Sequence, residues 1–348
     1  IYPELGQIKP LVTSSVRVYR LIYKTEVNDR EIRASGLICL PGNEGGYPVL
    51  CFQNGTNTEN SNAPSEFFTS PLYQMVEVVA STGYIVVIPD YPGFGESAAI
   101  PHPYLVKEPT VRSITDMLYA LNEVPAEIMD GVSVLNEYNL IGYSQGGWAT
   151  LALHKALELD YDNDFNLKGS VCGAGPYNMS LLFNTMIDNE YYSMPVYLGY
   201  IINAYSAYDQ FTNEVDEILN QPYADLLPSL YSGELSSGEI NAELTTSIPG
   251  LLTPGFIEGF AGSPVYATVR EALSENSITG WKTEVPLFFV HGDSDTQVDP
   301  STTINIYDEM IEAGTSAGIC SKEMIPGADH GDGVVPCMVM GLIFLMNL

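Results

Sequence analysis

The sequence predicts an α/β fold: a mostly parallel central sheet with helices on both faces and a helical cap inserted late in the chain. Three observations carry that expectation. Short apolar runs rich in β-branched residues alternate with helix-length segments, the pattern of strands covered on both sides rather than of a sheet with one wet face. The alternation breaks between about residues 176 and 281, where no strand-like run stands out and Tyr, Leu, Met and Phe recur at helical spacing. One serine, Ser144, sits between two glycines where an apolar run gives way to a helical one.

In chain order, residues 16–23 (VRVYRLIY) and 32–40 (IRASGLICL) read as a hairpin, the first strand alternating and the second more apolar. PVLCF at 48–52 is a strand, QNGTNTENSNAPS a polar loop, 66–81 a helix and YIVVIP at 84–89 a strand. A helix around 113–122, a strand at 137–142, a helix at 145–157 and a strand at 168–174 follow. After the break come a strand at 285–290, a helix at 302–313, a strand at 321–325 and a closing helix at 334–347. Residues 1–175 and 282–348 are thus expected to be two parts of one core, and 176–281 its helical cap. The sequence holds no internal repeat, low-complexity tract or dividing linker.

Composition narrows the function. With 43 acidic against 13 basic residues the net charge is -30, which repels phosphate backbones and anionic membranes over about a Debye length. Nucleic acid is excluded as an expected partner, and the acidity suits a salty or extracellular medium. No apolar run is long enough to span a bilayer, the C-terminal VVPCMVMGLIFLMNL included, so no integral membrane association is expected. Ile1 opens the sequence without a charged-then-apolar leader, so an export signal is expected to be removed or absent, and the address to be secreted or periplasmic. Five cysteines show no CxxC spacing, which argues against a zinc ribbon or redox pair. Cys39, Cys51 and Cys172 lie in strand-like runs as small core residues, whereas Cys320 and Cys337 are the candidate disulfide in an oxidising compartment. No metal and no cofactor is expected. The glycines of DYPGFG (90–95) lack the G-x-G-x-x-G or Gly-Lys-Ser/Thr of a phosphate loop and read as a tight turn, and Asp329 and Asp332 beside His330 read as turn chemistry. Asn54 and Asn178 begin formal glycosylation sequons, the first of which is treated as chance.

The serine carries the chemistry. A strand-to-helix reversal forces unusual backbone angles on its apex residue, and Gly142 and Gly146 remove side chains that would collide across it. Ser144 is then held out at the carboxyl edge of the sheet, with the N–H of Gln145 at a helix N-terminus able to face a developing oxyanion. A serine needs a base. His154 lies inside the following helix, His102 between prolines and His291 in a turn, whereas His330 follows the last strand in a Gly- and Asp-rich loop that reaches over the sheet edge. The acid belongs between them, and VHGDSDTQVDP points to Asp295, with Asp293 as the alternative and Asp299 reading as a helix cap before Pro300. Trp148 is expected to pack the helix after the serine.

Ser144, Asp295 and His330, in that chain order and with these motifs, resemble the α/β-hydrolase fold over nearly the whole chain. FQNGTNTENSNAPS, DYPGFGES, HPYL and GYSQGGWAT resemble its secreted lipase and esterase branch, which carries a long helical lid before the acid. The resemblance implies Ser144 as nucleophile, His330 as base, Asp295 as acid, and a small-molecule ester as substrate. Such enzymes often read Q-H-G-T where this chain has Gln53-Asn54-Gly55-Thr56, and the implied oxyanion donors are Gly55 or Thr56 together with Gln145. Asn54, Tyr143 and Tyr91 are the candidate pocket residues. Two readings stay open beside the esterase: a serine peptidase or aminopeptidase, with Asp188, Glu190 or Glu258 receiving a substrate amine, and a non-catalytic binding protein. Oligomeric state is left unassigned.

Overall fold

The computed structural model describes residues 12–348. Among them, eight strands form one sheet in the order β1-β2-β4-β3-β5-β6-β7-β8: β1 Val16–Val27, β2 Arg30–Pro41, β3 Gly45–Gln53, β4 Ile85–Pro89, β5 Val132–Tyr143, β6 Leu167–Gly173, β7 Leu287–Gly292 and β8 Cys320–Ile325. β1 and β2 are an antiparallel hairpin, β2 runs antiparallel to β4, and every later pairing is parallel. The β1–β2 turn uses Asn28 and Asp29 at positive φ, a conformation these two residue types tolerate. β5 begins five residues before its expected start, because Val132 to Val134 also pair with Gly45 to Tyr47 beyond a register shift.

Among the described residues, nine helices of eight or more residues accompany the sheet: α1 Pro71–Val78, α2 Lys107–Asn122, α3 Gln145–Leu159, α4 Met179–Asp188, α5 Pro195–Ala207, α6 Tyr223–Leu230, α7 Ala267–Glu275, α8 Ser301–Glu312 and α9 Val334–Met346. The helix expected from residue 66 starts at Pro71 instead. Proline has no N–H and a helical φ, so it is suited to the first turn and not to an interior. α2 opens earlier than expected, with Pro109 accommodated in its first turn.

Strand alternation sends successive residues to opposite faces, each with its own core. Ile38, Leu40, Val49, Cys51, Leu140, Trp148 and Leu153 belong to one apolar cluster; Leu37, Cys39, Leu50, Ile141, Val171 and Leu342 belong to the other. This division corrects the candidate disulfide. Cys320 lies in the first cluster and Cys337 in the second, and all five cysteines are free and buried.

Between β6 and β7 the chain's regular elements are helices joined by turns and loops, with two isolated bridges, Tyr191 with Ser247 and Leu219 with Leu252. Its tyrosines explain their abundance. The hydroxyl of Tyr200 donates to the Asn57 carbonyl (3.2 Å), that of Tyr205 to Leu105 (3.2 Å), that of Tyr208 to Pro101 (2.5 Å) and that of Tyr192 to Gln297 (3.0 Å). Each phenol buries an apolar ring and satisfies a loop carbonyl at the carboxyl end of the sheet. Trp148 is fully buried and its indole donates to the Asn276 carbonyl (3.1 Å), tying α3 to the same segment.

Candidate active site

The turn from β5 into α3 puts Ser144 at φ 59°, ψ −123°, a region costly for a residue with a side chain. Its glycines are required by contact. A Cβ on Gly142 would stand 2.3 Å from the Gly146 carbonyl oxygen, one on Gly146 would stand 1.9 Å from that of Gln53, and one on Gly147 would stand 2.1 Å from that of Gly173. Three glycines therefore let α3 start against the ends of β3, β5 and β6. The Ser144 N–H is fixed by the Gly173 carbonyl (2.9 Å), and its side chain is partly open to solvent.

His330 arrives from the loop between β8 and α9. Its Nε2 lies 2.9 Å from Ser144 Oγ and its Nδ1 lies 2.5 Å from Asp295 Oδ2. Asp295 arrives from the loop after β7, and its Oδ1 accepts the N–H groups of Gln297 (2.8 Å) and Val298 (3.0 Å). Burial alone raises the Asp295 carboxyl, but hydrogen bonds from His291 and His330 outweigh it and hold the group well below the usual carboxylate range. Gly292 lets the two loops touch, since a Cβ there would meet the Ala328 carbonyl oxygen at 2.4 Å. Asp293 is engaged elsewhere, accepting the Gly327 N–H (2.7 Å). Asp299 accepts the Ser301 N–H (2.8 Å) in a turn just before α8, whose N-cap position is taken by Pro300 and not by Asp299 as expected, and Asp329 accepts the Asp332 N–H (2.8 Å) within a turn.

Of the candidate oxyanion donors, the Gln145 N–H is the first of α3, and such groups have no partner inside a helix. Gly55 runs close to Ser144, a Cβ there lying 3.9 Å from Ser144 Cβ. The Thr56 hydroxyl is 2.8 Å from that of Tyr104. Asn54 is buried and its side-chain oxygen has no partner among the described residues; burial at that level is why its sequon has no room for a glycan. Tyr91 is buried and donates to the Asn54 carbonyl (3.2 Å). Tyr143 points to the opposite face of the sheet, where its hydroxyl donates to the His330 carbonyl (2.8 Å) and steadies the histidine loop.

Two histidines set aside in the sequence reading stand next to this constellation. His102 is enclosed by Tyr91, Phe94, Tyr104 and Tyr200. The Pro92 carbonyl at 2.7 Å makes its Nδ1 a donor, which leaves Nε2 to accept from the Gln145 amide at 2.8 Å. His291 lies 3.1 Å from the Asp295 carboxylate. The only sequence trace of either contact is the spacing of His291 four residues before Asp295; nothing near HPYL marks a link to Gln145.

The sheet order, the strained serine turn and three loops converging at the carboxyl edge define an α/β-hydrolase of the carboxylesterase and lipase type. The chain belongs to the secretory lipase family, whose profile matches residues 67–330. A crystal structure of a protein from Legionella pneumophila, provisionally described as a hydrolase, is 25% identical, with a TM-score of 0.86 over 99% of this chain and 93% of that one. The rice cell wall degrading esterase LipA from Xanthomonas oryzae is 22% identical, with a TM-score of 0.82 over 98% and 92%. Candida antarctica lipase A in its closed state is 17% identical, with a TM-score of 0.71 over 99% and 83%. These last two are likenesses of fold. No curated protein matches the chain by sequence.

Proposed function

We propose that this chain is a secreted serine esterase that hydrolyses neutral carboxylic esters with apolar acyl groups, through a Ser144–His330–Asp295 triad and an acyl-enzyme. In the first half, Ser144 Oγ attacks the ester carbonyl carbon while His330 Nε2 takes its proton; the same proton then passes to the departing alcohol as the C–O bond breaks. In the second half, water attacks the acyl-enzyme with His330 again as base, releasing the acid and restoring the serine. Asp295 holds Nδ1–H and compensates the imidazolium. Backbone N–H groups of Gln145 and of Gly55 or Thr56 receive the oxyanion.

The observation that carries this reading is the unbroken relay from Ser144 Oγ through His330 to Asp295 at 2.9 and 2.5 Å. The aromatic segment at 176–281 acts as a lid that supplies apolar surface, and the charge of -30 disfavours anionic substrates. The acids that an aminopeptidase reading requires, Asp188, Glu190 and Glu258, are all exposed, where solvent weakens any grip on an amine.

The test is turnover of p-nitrophenyl esters of graded chain length beside aminoacyl arylamides. Ester turnover is expected to exceed arylamide turnover, and Ser144→Ala to lower it about a millionfold with folding intact. Substantial ester hydrolysis by the variant sinks the assignment. Failure of a fluorophosphonate to label Ser144 favours a binding protein.

A further inference from the structure

We infer that His291 is a positioning residue for the acid of the triad: its Nε2–H holds Asp295 Oδ2 and tempers how strongly that carboxylate grips His330. Asp295 Oδ2 is shared by two imidazoles, His330 Nδ1 at 2.5 Å and His291 Nε2 at 3.1 Å. The direction of the second bond is settled by its surroundings. His291 Nε2 faces two groups that only accept, the Asp295 carboxylate and the Val298 carbonyl at 3.0 Å, so it must carry the proton. Nδ1 is then the acceptor for the Thr303 hydroxyl at 2.7 Å on the first turn of α8, and the ring is held at both ends in a fully buried site. The carboxylate thus receives four donors: two backbone N–H groups on Oδ1, which fix its plane, and two imidazole N–H groups on Oδ2.

The consequence is electronic as well as steric. Each donor to a carboxylate withdraws density from its lone pairs, so a carboxylate already bonded to His291 stabilises the His330 imidazolium less than one bonded to His330 alone. A triad histidine held too firmly as imidazolium keeps its proton in the free enzyme and fails to act as base at mildly acid pH. The His291 N–H therefore extends activity toward acid while pinning the carboxylate in line with Nδ1. The other titratable groups facing the cluster are Tyr143 from β5, Tyr192 and Tyr197 from the segment before β7, and Asp329 and Asp332 in the loop of His330. Burial pushes all three phenols up, so they stay neutral across the acid limb, and the two carboxylates are common to all variants compared.

This inference rests on the proposed triad, which Ser144→Ala tests by itself. His291→Phe, which removes the donor, is expected to lower kcat about tenfold and to move the acid limb of the kcat/KM profile toward higher pH by about one unit, with KM little changed. His291→Gln, whose amide reaches the same place with an N–H, is expected to restore most of kcat and to return the limb. A folded His291→Phe with reduced kcat and an unmoved acid limb would mean a packing role only and would overturn the proposal. Should that variant not fold, 15N NMR of the wild-type protein decides: a proton on His291 Nε2 is expected, and a bare Nε2 refutes the inference whatever the state of Ser144.

Discussion

At the scale of single residues, polar side chains sit beside Ser144 in states dictated by burial. His102 is the clearest. Burial pulls it down to about 4, against a bond to the Pro92 carbonyl that favours its charged form. The folded value lies below the unfolded value of about 6.5, so above about pH 6.5 the ring is neutral in both states and contributes no pH dependence. As pH falls from about 6.5 to about 4 the unfolded chain takes up the proton first and stability drops, by up to about 3 kcal/mol. His102→Gln is expected to flatten the fall in melting temperature across that interval; an equally steep fall in the variant would mean that other groups cause it. Near this site the sequence was legible as to which residues come together, Ser144, Asp295 and His330, because each stands at a recognisable turn after a strand. It was illegible where a side chain acts through a partner far along the chain, as His102 does on Gln145.

At the scale of elements, what matters is how the helical segment between β6 and β7 is tied down. Its phenols reach two loops of the core, through Tyr200 to Asn57 after β3, and through Tyr205 to Leu105 and Tyr208 to Pro101 after β4. A neutral hydrogen bond to a carbonyl contributes about 1 kcal/mol, and leaving a buried carbonyl without a donor costs more. Replacing all three tyrosines by phenylalanine keeps the apolar packing and removes the ties. The triple variant is expected to lose a few kcal/mol and to show faster amide hydrogen exchange in α5 than in the central strands. Uniform exchange across the molecule would show that α5 is not held by these bonds. The richness of this segment in Tyr was visible in the sequence, but its partners were not, because helical periodicity reports which face is covered and not what covers it.

At the scale of the whole molecule, the charge of -30 is the dominant field. Self-repulsion destabilises the compact state and salt screens it, with a Debye length of about 10 Å at 0.1 M falling to about 3 Å at 1 M. Raising sodium chloride from low concentration to about 0.5 M is expected to raise the melting temperature and to increase kcat/KM for an anionic ester more than for a neutral one of the same acyl length. Equal salt responses of the two esters would show that the surface field does not reach the site.

The sequence by itself determined the order of strands and helices, the reversal at Ser144 and the break in rhythm from 176 to 281, because these follow from side-chain periodicity and from steric limits that act within a few residues. Only the tertiary structure decided that Cys320 and Cys337 belong to opposite faces of the sheet, that Tyr143 braces the histidine loop from behind, and that Asp295 carries a second imidazole. Those outcomes depend on which loops meet at the end of a twisted sheet, and groups more than a hundred residues apart, such as Tyr143 and His330, leave no local pattern along the chain.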